Sequence, residues 1–180
     1  MRQSYSQGQC QERRKMRIIQ TVFSFVLLLS ALYAQDPQIR PADLLLVTGS
    51  RWTGQLTYLD YTTKRPVSIP STLSVTQVDG QPSAFIFDYQ YPDEPHAKST
   101  STLTIADGGR TFSGERVVTR QVSTDGTLLL VTEKSGRDDG REALIRHTYQ
   151  IKPGRFLIKK EVRFGDNLQF IQRSLYQWAR

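Results

Sequence analysis

The chain has 180 residues, with 24 Lys and Arg against 17 Asp and Glu, a formal net charge of +7 and a sequence pI of about 9.7. Five of the basic residues lie within the first 34 positions; without that segment the net charge falls to +3 and the two signs are interspersed, which argues against a nucleic-acid-binding protein. The 14 aromatic residues of 35–180 can supply a core, which excludes a disordered chain and predicts one domain.

The first 34 residues have the pattern of a secretory signal peptide. Basic residues within 13–17 precede an apolar run, 18–34, that ends in small residues before a polar Gln-Asp-Pro sequence. Cleavage is expected after Ala34, and Met16 is a second possible start of translation. The alternative is an uncleaved anchor, but the run is shorter than the ~20 residues that span a bilayer comfortably. The product is therefore predicted to be periplasmic or secreted, with no stable membrane insertion after cleavage.

Cysteine is confined to Cys10, which precedes the apolar run. No thiol is available for lipid attachment at the cleavage point. The segment 35–180 therefore cannot form disulfides, thiolate nucleophiles or cysteine-based metal sites.

Residues 35–49 are predicted to form a lead-in segment with a short helix. Pro37 and Pro41 precede an apolar stretch, 44–47, and Gly49 ends it. Beyond this point the character of the chain changes, and 50–180 is predicted to be a single domain.

Turn sequences recur about every dozen residues through 50–180, and the segments between them alternate apolar and polar side chains. The turns include Asp79-Gly80, Asp107-Gly108-Gly109, Asp125-Gly126, Asp139-Gly140 and Pro153-Gly154. The pattern predicts nine strands, at 52–62, 67–78, 83–91, 100–105, 110–123, 127–133, 141–151, 155–164 and 168–178. Such short connections join antiparallel neighbours, and closure removes exposed edges. We therefore expect an all-β, antiparallel up-and-down barrel of about eight to ten strands, with a two-sheet sandwich as the alternative.

The start of this domain, Gly49-Ser50-Arg51-Trp52, resembles the calycin superfamily, which includes the lipocalin and fatty-acid-binding-protein barrels. The resemblance implies that a short helical turn leads into a first strand bearing a tryptophan. It also implies that a basic residue of the closing strand packs across this tryptophan, for which Arg173 and Arg180 are candidates. The stretches 52–61, 91–95, 160–162 and 173–176 look like a family of uncharacterised exported bacterial proteins, which implies no assigned activity.

Polar residues interrupt the apolar faces of several predicted strands. Asp60 continues the face of Trp52, His147 lies between Ile145 and Tyr149, and Lys160 lies between Ile158 and Val162. Because a lone buried charge is costly, these groups must be paired, lie at a barrel mouth or face a wet cavity. Together with neighbouring aromatic residues they form the predicted ligand-binding set: Tyr58, Asp60, Phe87, Tyr89, His147, Tyr149, Lys160, Arg173 and Tyr176. The alternative is an ion pair between Asp60 and Lys160, or side chains exposed at the barrel mouth, without any ligand.

Catalytic and metal-binding patterns are weak in this sequence. The two histidines, His96 and His147, form no ligand motif, so no metal, cofactor or catalytic residue is expected. Carboxylates do lie on predicted strands, at Asp60, Glu115, Glu133 and Glu161, but Glu161 alternates away from the apolar face of its strand. The mixed charges of 133–142 are typical of a solvated hairpin tip.

Two functions follow from these patterns. The first is an exported barrel that binds a small amphipathic or aromatic ligand without catalysis. Phe87 and Tyr89 would contact the body of the ligand, and Lys160, His147 or Arg173 its polar end. The alternative is a solid-cored structural or interaction module of the bacterial envelope that acts on a protein partner through an outer face or the connection 91–99.

Overall fold

The computed structural model describes residues 36–165 and 167–180, and places Pro37–Arg180 in one compact unit. The predicted signal peptide, 1–34, lies outside the described residues, as does Cys10. In the part of the chain that is described, no helix is both long and apolar enough to cross a membrane.

The described residues form a short helix followed by ten strands. The helix, α1, is Pro41–Leu45, and two 3-10 turns are Pro95–Ala97 and Asp107–Gly109. The strands are β1 (Arg51–Leu59), β2 (Pro66–Val78), β3 (Gln81–Gln90), β4 (Ser99–Ala106), β5 (Thr111–Phe112), β6 (Glu115–Val122), β7 (Leu128–Asp138), β8 (Arg141–Lys152), β9 (Arg155–Phe164) and β10 (Ile171–Ala179). Each strand pairs antiparallel with the next, and β1 pairs with β10 to close the barrel. The predicted up-and-down barrel and the short helix of the lead-in are confirmed.

The largest differences from the predicted strands lie in two segments. The single strand predicted over 110–123 is two strands, because Ser113 and Gly114 both have positive φ angles, 53° and 75°, and turn the chain between β5 and β6. The strand predicted to end at Glu133 continues to Asp138, since its ladder with β8 extends to the pair of Asp138 and Arg141. The segment 133–142 is the end of this hairpin, with its turn at Asp139-Gly140, and most of its side chains are exposed as predicted; Asp138 is the buried exception.

A β-bulge explains why the last strand has no clear apolar face in the sequence. The pairing of β10 with β9 shifts register between Gln172 and Ser174. Arg173 is the extra residue, so it is buried although simple alternation places it opposite Tyr176 and Trp178.

The barrel interior nearest α1 is filled with apolar side chains. Its largest fully buried members include Trp52, Phe85, Phe87, Phe112 and Phe156. The lead-in residues Ile39, Leu44 and Val47 belong to the same cluster and cover this end of the barrel. Two polar contacts fix the lead-in: the Trp52 Nε1–H donates to the Val47 carbonyl at 2.8 Å, and Arg120 donates twice to Asp43, at 2.7 and 2.8 Å.

The C-terminal residue packs against the first strand. The guanidinium of Arg180 lies 4.6 Å from the ring of Trp52 and donates to Ser50 Oγ at 3.2 Å. Of the two basic residues suggested by the resemblance, Arg180 is the one that covers the tryptophan.

Candidate functional site

The ladder register arranges the inward side chains in levels along the barrel. One level, beneath Trp52, contains Gly54, Trp178, Phe156, Ile151 and Leu128, and the next contains Leu56, Tyr176, Ile158, Tyr149 and Leu130. The third level contains Tyr58, Ser174, Lys160, His147 and Thr132. The interior thus changes from apolar to polar along the barrel. We call this third level, together with Glu115 and Asp138, which bond to its members, the polar end.

The first network of the polar end is centred on Glu115. Its Oε2 accepts hydrogen bonds from Thr132 Oγ1 at 2.6 Å and His147 Nδ1 at 2.8 Å, and its Oε1 lies 3.1 Å from Lys134 Nζ. Burial opposes ionisation of this carboxyl, but the bonds from His147, Thr132 and Lys134 outweigh it and lower the pKa of Glu115 to about 2. An ionised carboxylate can only accept hydrogen bonds, so Nδ1 of His147 carries a proton and donates to Glu115. The second ring nitrogen, Nε2, takes no part in this bond.

The second network is centred on Asp138, whose side chain is 3% exposed. It accepts from Lys160 Nζ at 3.0 Å, from Arg173 Nε at 2.8 Å and from the Tyr61 hydroxyl at 3.1 Å. Burial raises the pKa of Asp138, but Lys160, Tyr61 and Arg173 more than compensate, so that its pKa lies below the ordinary value. We call these four residues the clasp. They join the end of β7, strands β9 and β10 and the connection after β1, and so tie together the rim of the barrel.

The two networks are neighbours. His147 of the first and Lys160 of the second are directly paired residues on β8 and β9. Lys160, half-buried, pairs with Asp138, and the neighbouring His147 pairs with Glu115. Such a cluster is tolerable because every charge has a partner of opposite sign.

Four of the predicted site residues line one depression at the rim. Tyr58, Asp60, Lys160 and Arg173 surround a volume of about 500 Å³, together with Leu59, Tyr61, Thr62 and Ser174. This volume falls within the range of small-molecule sites. His147 lies behind it, next to Lys160.

Asp60 shares this depression but is not paired with Lys160. Its Oδ1 accepts from the backbone N–H of Thr62 at 2.8 Å and of Thr63, an arrangement that lowers the pKa of Asp60 and caps the turn after β1. The alternative of an Asp60–Lys160 ion pair was wrong, because the ammonium of Lys160 binds Asp138 instead.

The predicted aromatic residues lie one level deeper. Tyr89 and Tyr176 are half-buried with ring centroids 5.3 Å apart, and the Tyr176 hydroxyl is 2.8 Å from that of Tyr91. Burial raises the pKa values of Tyr89, Tyr149 and Tyr176 well above the ordinary range, so their hydroxyls stay protonated. Phe87 is fully buried beneath Tyr89, at a centroid distance of 6.3 Å.

Several residues of the networks were missed or misread in the sequence. Asp138 was assigned to a solvated tip, and Tyr61 and Thr132 were not singled out. A signal did exist for Asp138, because it keeps the inward phase of Leu128, Leu130 and Thr132 along β7. Its three partners come from β9, β10 and the loop after β1, and no local pattern identifies such partners.

The remaining strand carboxylates lie away from the polar end. Glu133 pairs with Arg146 at 2.6 Å, and Glu161 pairs with Lys159 at 3.0 Å. Among the described residues, no group of three His, Cys, Asp or Glu side chains is placed to hold a metal ion.

A larger groove of about 630 Å³ lies on the outside of β1, β8, β9 and β10. The side chains over it are mainly outward-facing, including Gln55, Gln150, Leu157 and Gln177. It lacks the buried, mutually bonded charges that distinguish the polar end, so the polar end is the stronger candidate site.

Comparisons with known proteins show a similarity of fold only. No family model matches the chain, and no curated protein matches it. Among solved structures, the crystal structure of Rv2717c from M. tuberculosis is similar with a TM-score of 0.53 and 15% identity, over 79% of this chain and 98% of that chain. A mutant of the fluorescent protein UnaG aligns with a TM-score of 0.38 and 14% identity, over 77% of this chain and 97% of its own. The likeness to Rv2717c is one of fold.

Proposed function

We propose that this protein is an exported, calycin-like barrel that binds a small amphipathic or aromatic molecule at the polar end of its interior, without catalysis. The observation that carries this proposal is the position of the charged groups. Lys160, His147 and Glu115 lie on or beside an inward level of the barrel, directly above a layer of tyrosines, where a purely structural interior is normally apolar.

The donors of the polar end favour a ligand with an anionic or hydrogen-bond-accepting group. Lys160 uses one of its three N–H groups on Asp138, and among the described residues the side-chain hydrogen bonding of Arg173 is limited to its Nε. The remaining N–H groups of both residues are suited to a carboxylate, phosphate or sulfonate oxygen. The hydroxyl of Tyr58 stands on the same level.

The body of the ligand would rest on the half-buried rings of Tyr89 and Tyr176. Phe87 lies beneath Tyr89 and would support this layer without touching the ligand. Aromatic surfaces of this kind bind flat or aliphatic groups with little loss of side-chain freedom. Export to the periplasm or the medium is part of the proposal, and the signal-peptide pattern of 1–34 supports it.

A structural or interaction module of the envelope is the second candidate. The aromatic core at the α1 end favours it, because buried side chains pack against one another in that half of the interior. This module would act on a protein partner through an outer face or the connection 91–99, which is exposed from Pro92 onward.

Fluorescent probes distinguish the two candidates. We expect 1-anilinonaphthalene-8-sulfonate, an anionic aromatic probe, to bind saturably at one site per chain. Lys160→Met should weaken this binding about tenfold while an uncharged analogue, N-phenyl-1-naphthylamine, binds as before. Lys159→Met is the matched control, since both side chains are 31% exposed but lie on opposite faces of β9.

The outcomes are interpreted after thermal unfolding shows that each variant is folded. Tyr89→Ala should weaken the binding of both probes, because it removes part of the aromatic layer. Absence of saturable binding, or equal binding by the parent, Lys160→Met and Tyr89→Ala, would contradict the proposal and favour the envelope module.

A further inference from the structure

The wall of the barrel has an opening in its polar half. Along 99–103, β4 pairs with β3 on one side, and its ladder with β5 on the other side begins only at Ile105. Across the opening, β7 pairs with β8 along 134–138, whereas its ladder with β6 ends at Glu133. Among the described strands, none lies between these two edges. We call this opening the notch; the turn Ser113-Gly114 forms its base.

Side chains that point into the barrel are exposed along the notch. Lys134 pairs with the inward-facing Ile145 and bonds to buried Glu115, so it points inward, yet its side chain is 44% exposed. On the opposite edge, Leu103 packs against the core but is only half-buried. The wall of a closed barrel shields its inward side chains. The interior therefore communicates with solvent through the notch.

The notch leads to the aromatic layer of the candidate site. Ser99 of β4 pairs directly with Tyr89 of β3, and Ser101 pairs with Phe87. Paired residues of antiparallel strands point to the same face, so both serines point into the barrel beside these rings. Both are small, and neither is buried. A small molecule that passes between β4 and β7 at this level therefore arrives at the ring of Tyr89.

The depression at the rim is a less direct route. Three of its lining residues, Tyr61, Lys160 and Arg173, are bonded to buried Asp138. Entry there requires these bonds to separate, which is unfavourable because it leaves buried charges without a partner. At the notch, the described side chains of β4 make no hydrogen bond or ion pair with β7; Thr100, for example, bonds to β3.

We propose that the ligand enters and leaves the barrel through the notch, and that Lys134 is a further binding residue that first attracts its anionic group. This inference rests on the proposed function, because it names the route to the same site. Lys134 has three N–H groups, and its described ion pair is with Glu115, so N–H groups remain for an incoming anion. A positive charge at an opening also raises the association rate of anions.

Thiol labelling closes the notch in protein that has already folded. Because 35–180 contains no cysteine, Ser101→Cys in a Cys10→Ser chain provides one site for N-cyclohexylmaleimide. Thr102→Cys is the matched control, because Thr102 is the next residue and is exposed on the outer face of β4. Thr62→Cys, at the rim depression, tests the other route.

Stopped-flow binding of 1-anilinonaphthalene-8-sulfonate distinguishes the two routes. The label at position 101 should slow both association and dissociation about tenfold and leave the dissociation constant nearly unchanged, because it obstructs the passage and not the site. The label at position 102 or 62 should leave both rates as in the unlabelled variant.

Lys134→Met should lower the association rate of this anionic probe about threefold at low salt, and the difference should shrink as ionic strength rises. The association rate of uncharged N-phenyl-1-naphthylamine should not change. Lys152→Met is the control, because Lys152 lies at the end of β8 farther from the notch, next to Ile151 of the apolar core. An equal effect of both variants on the anionic probe would contradict the role of Lys134.

Acrylamide quenching of tryptophan fluorescence separates this inference from the proposed function. Trp178 is buried beside Tyr89, with ring centroids 6.1 Å apart, so quenching reports access to the aromatic layer whether or not a ligand binds. The label at position 101 should lower the quenching rate constant about twofold relative to the label at position 102.

Unchanged probe kinetics with the label at position 101 would overturn the notch as the entrance, and slowed kinetics with the label at position 62 would locate the entrance at the rim. A weaker dissociation constant with an unchanged dissociation rate would also overturn it, since the label would then occupy the site itself. A parent without saturable probe binding would contradict the proposed function. Quenching then tests the notch by itself, and equal quenching with the labels at 101 and 102 would overturn it.

Discussion

Glu115 and Asp138 illustrate how single residues make a charged barrel interior stable. Each carboxylate accepts from three side chains, and in each case at least one partner is a Lys or Arg. Removing one member of such a cluster leaves the others buried without compensation, which costs more than the cluster contributes in total. Both residues therefore give clear mutational predictions.

Glu115 is expected to make the protein sensitive to acid. Its pKa is lowered from 4.5 to about 2. The ionised carboxylate therefore contributes fully to the free energy of unfolding above pH 4.5, and this contribution is lost as the pH falls towards 2. The corresponding loss is ~2–3 kcal/mol of the free energy of unfolding. Urea unfolding at several pH values between about 6 and 2.5 should show this loss in the parent and not in Glu115→Gln.

A control for this prediction is Glu142→Gln, since Glu142 is 82% exposed. Its pH profile should follow that of the parent. If Glu115→Gln loses as much stability in acid as the parent does, the networks around Glu115 do not hold its charge as described.

Asp138→Asn is expected to lower the free energy of unfolding by ~3 kcal/mol, because it leaves the buried guanidinium of Arg173 without a counter-charge. The double variant Asp138→Asn with Arg173→Met should recover part of this loss, since it removes the uncompensated charge. Denaturant unfolding of both variants measures the effect. A single variant as stable as the parent would show that the clasp is not a buried ionic network.

At the scale of elements, the barrel could be predicted because its turns have recognisable sequences. Asp-Gly pairs and alternating strands define most hairpins, and the strand 155–164 has the boundaries that were predicted. Two irregular features escaped prediction. The turn at Ser113-Gly114 interrupts a segment that reads as one strand, and the bulge at Arg173 reverses the alternation of β10. Both depend on how neighbouring strands pair, which local sequence does not reveal.

The closure of the barrel depends on a glycine where β1 meets β10. A Cβ at Gly54 would overlap the backbone carbonyl of Gln177. Gly54→Ala is therefore expected to lower the free energy of unfolding by ~3 kcal/mol or more, since the overlap is with backbone that cannot rotate away. Gly80→Ala is the comparison: Gly80 has a φ of 71° but no neighbouring atom within 4 Å, so a cost of ~1 kcal/mol is expected. Equal costs at both sites would argue against a tight seam.

Only part of the candidate site could be predicted from the sequence. Alternation identified His147 and Lys160 as polar residues on inward faces, which the structure places side by side. Their carboxylate partners are 32 and 22 residues away in the chain. Tertiary packing alone decides such pairings: Lys160 binds Asp138, and not Asp60 as the alternative interpretation of the sequence had it.

The whole molecule combines a packed half and a polar half within one closed sheet. The aromatic core and lead-in residues at the α1 end supply stability through burial. The clasp and the Glu115 network occupy the opposite half, where charged groups reduce the stability available from packing. This division supports a division of tasks, with the core maintaining the barrel and the polar half available for a ligand.

Ligand binding inside the barrel is tested most directly by native mass spectrometry of the protein purified from cells that express the full chain, with solvent extraction of any bound molecule. We expect a reproducible additional mass from a small molecule that has an apolar body and an anionic or hydrogen-bond-accepting group. Lys160→Met should reduce its occupancy, and Lys159→Met should not. A protein that carries no additional mass, and whose mass no added lipid or aromatic anion shifts, would contradict ligand binding and favour a structural role in the envelope.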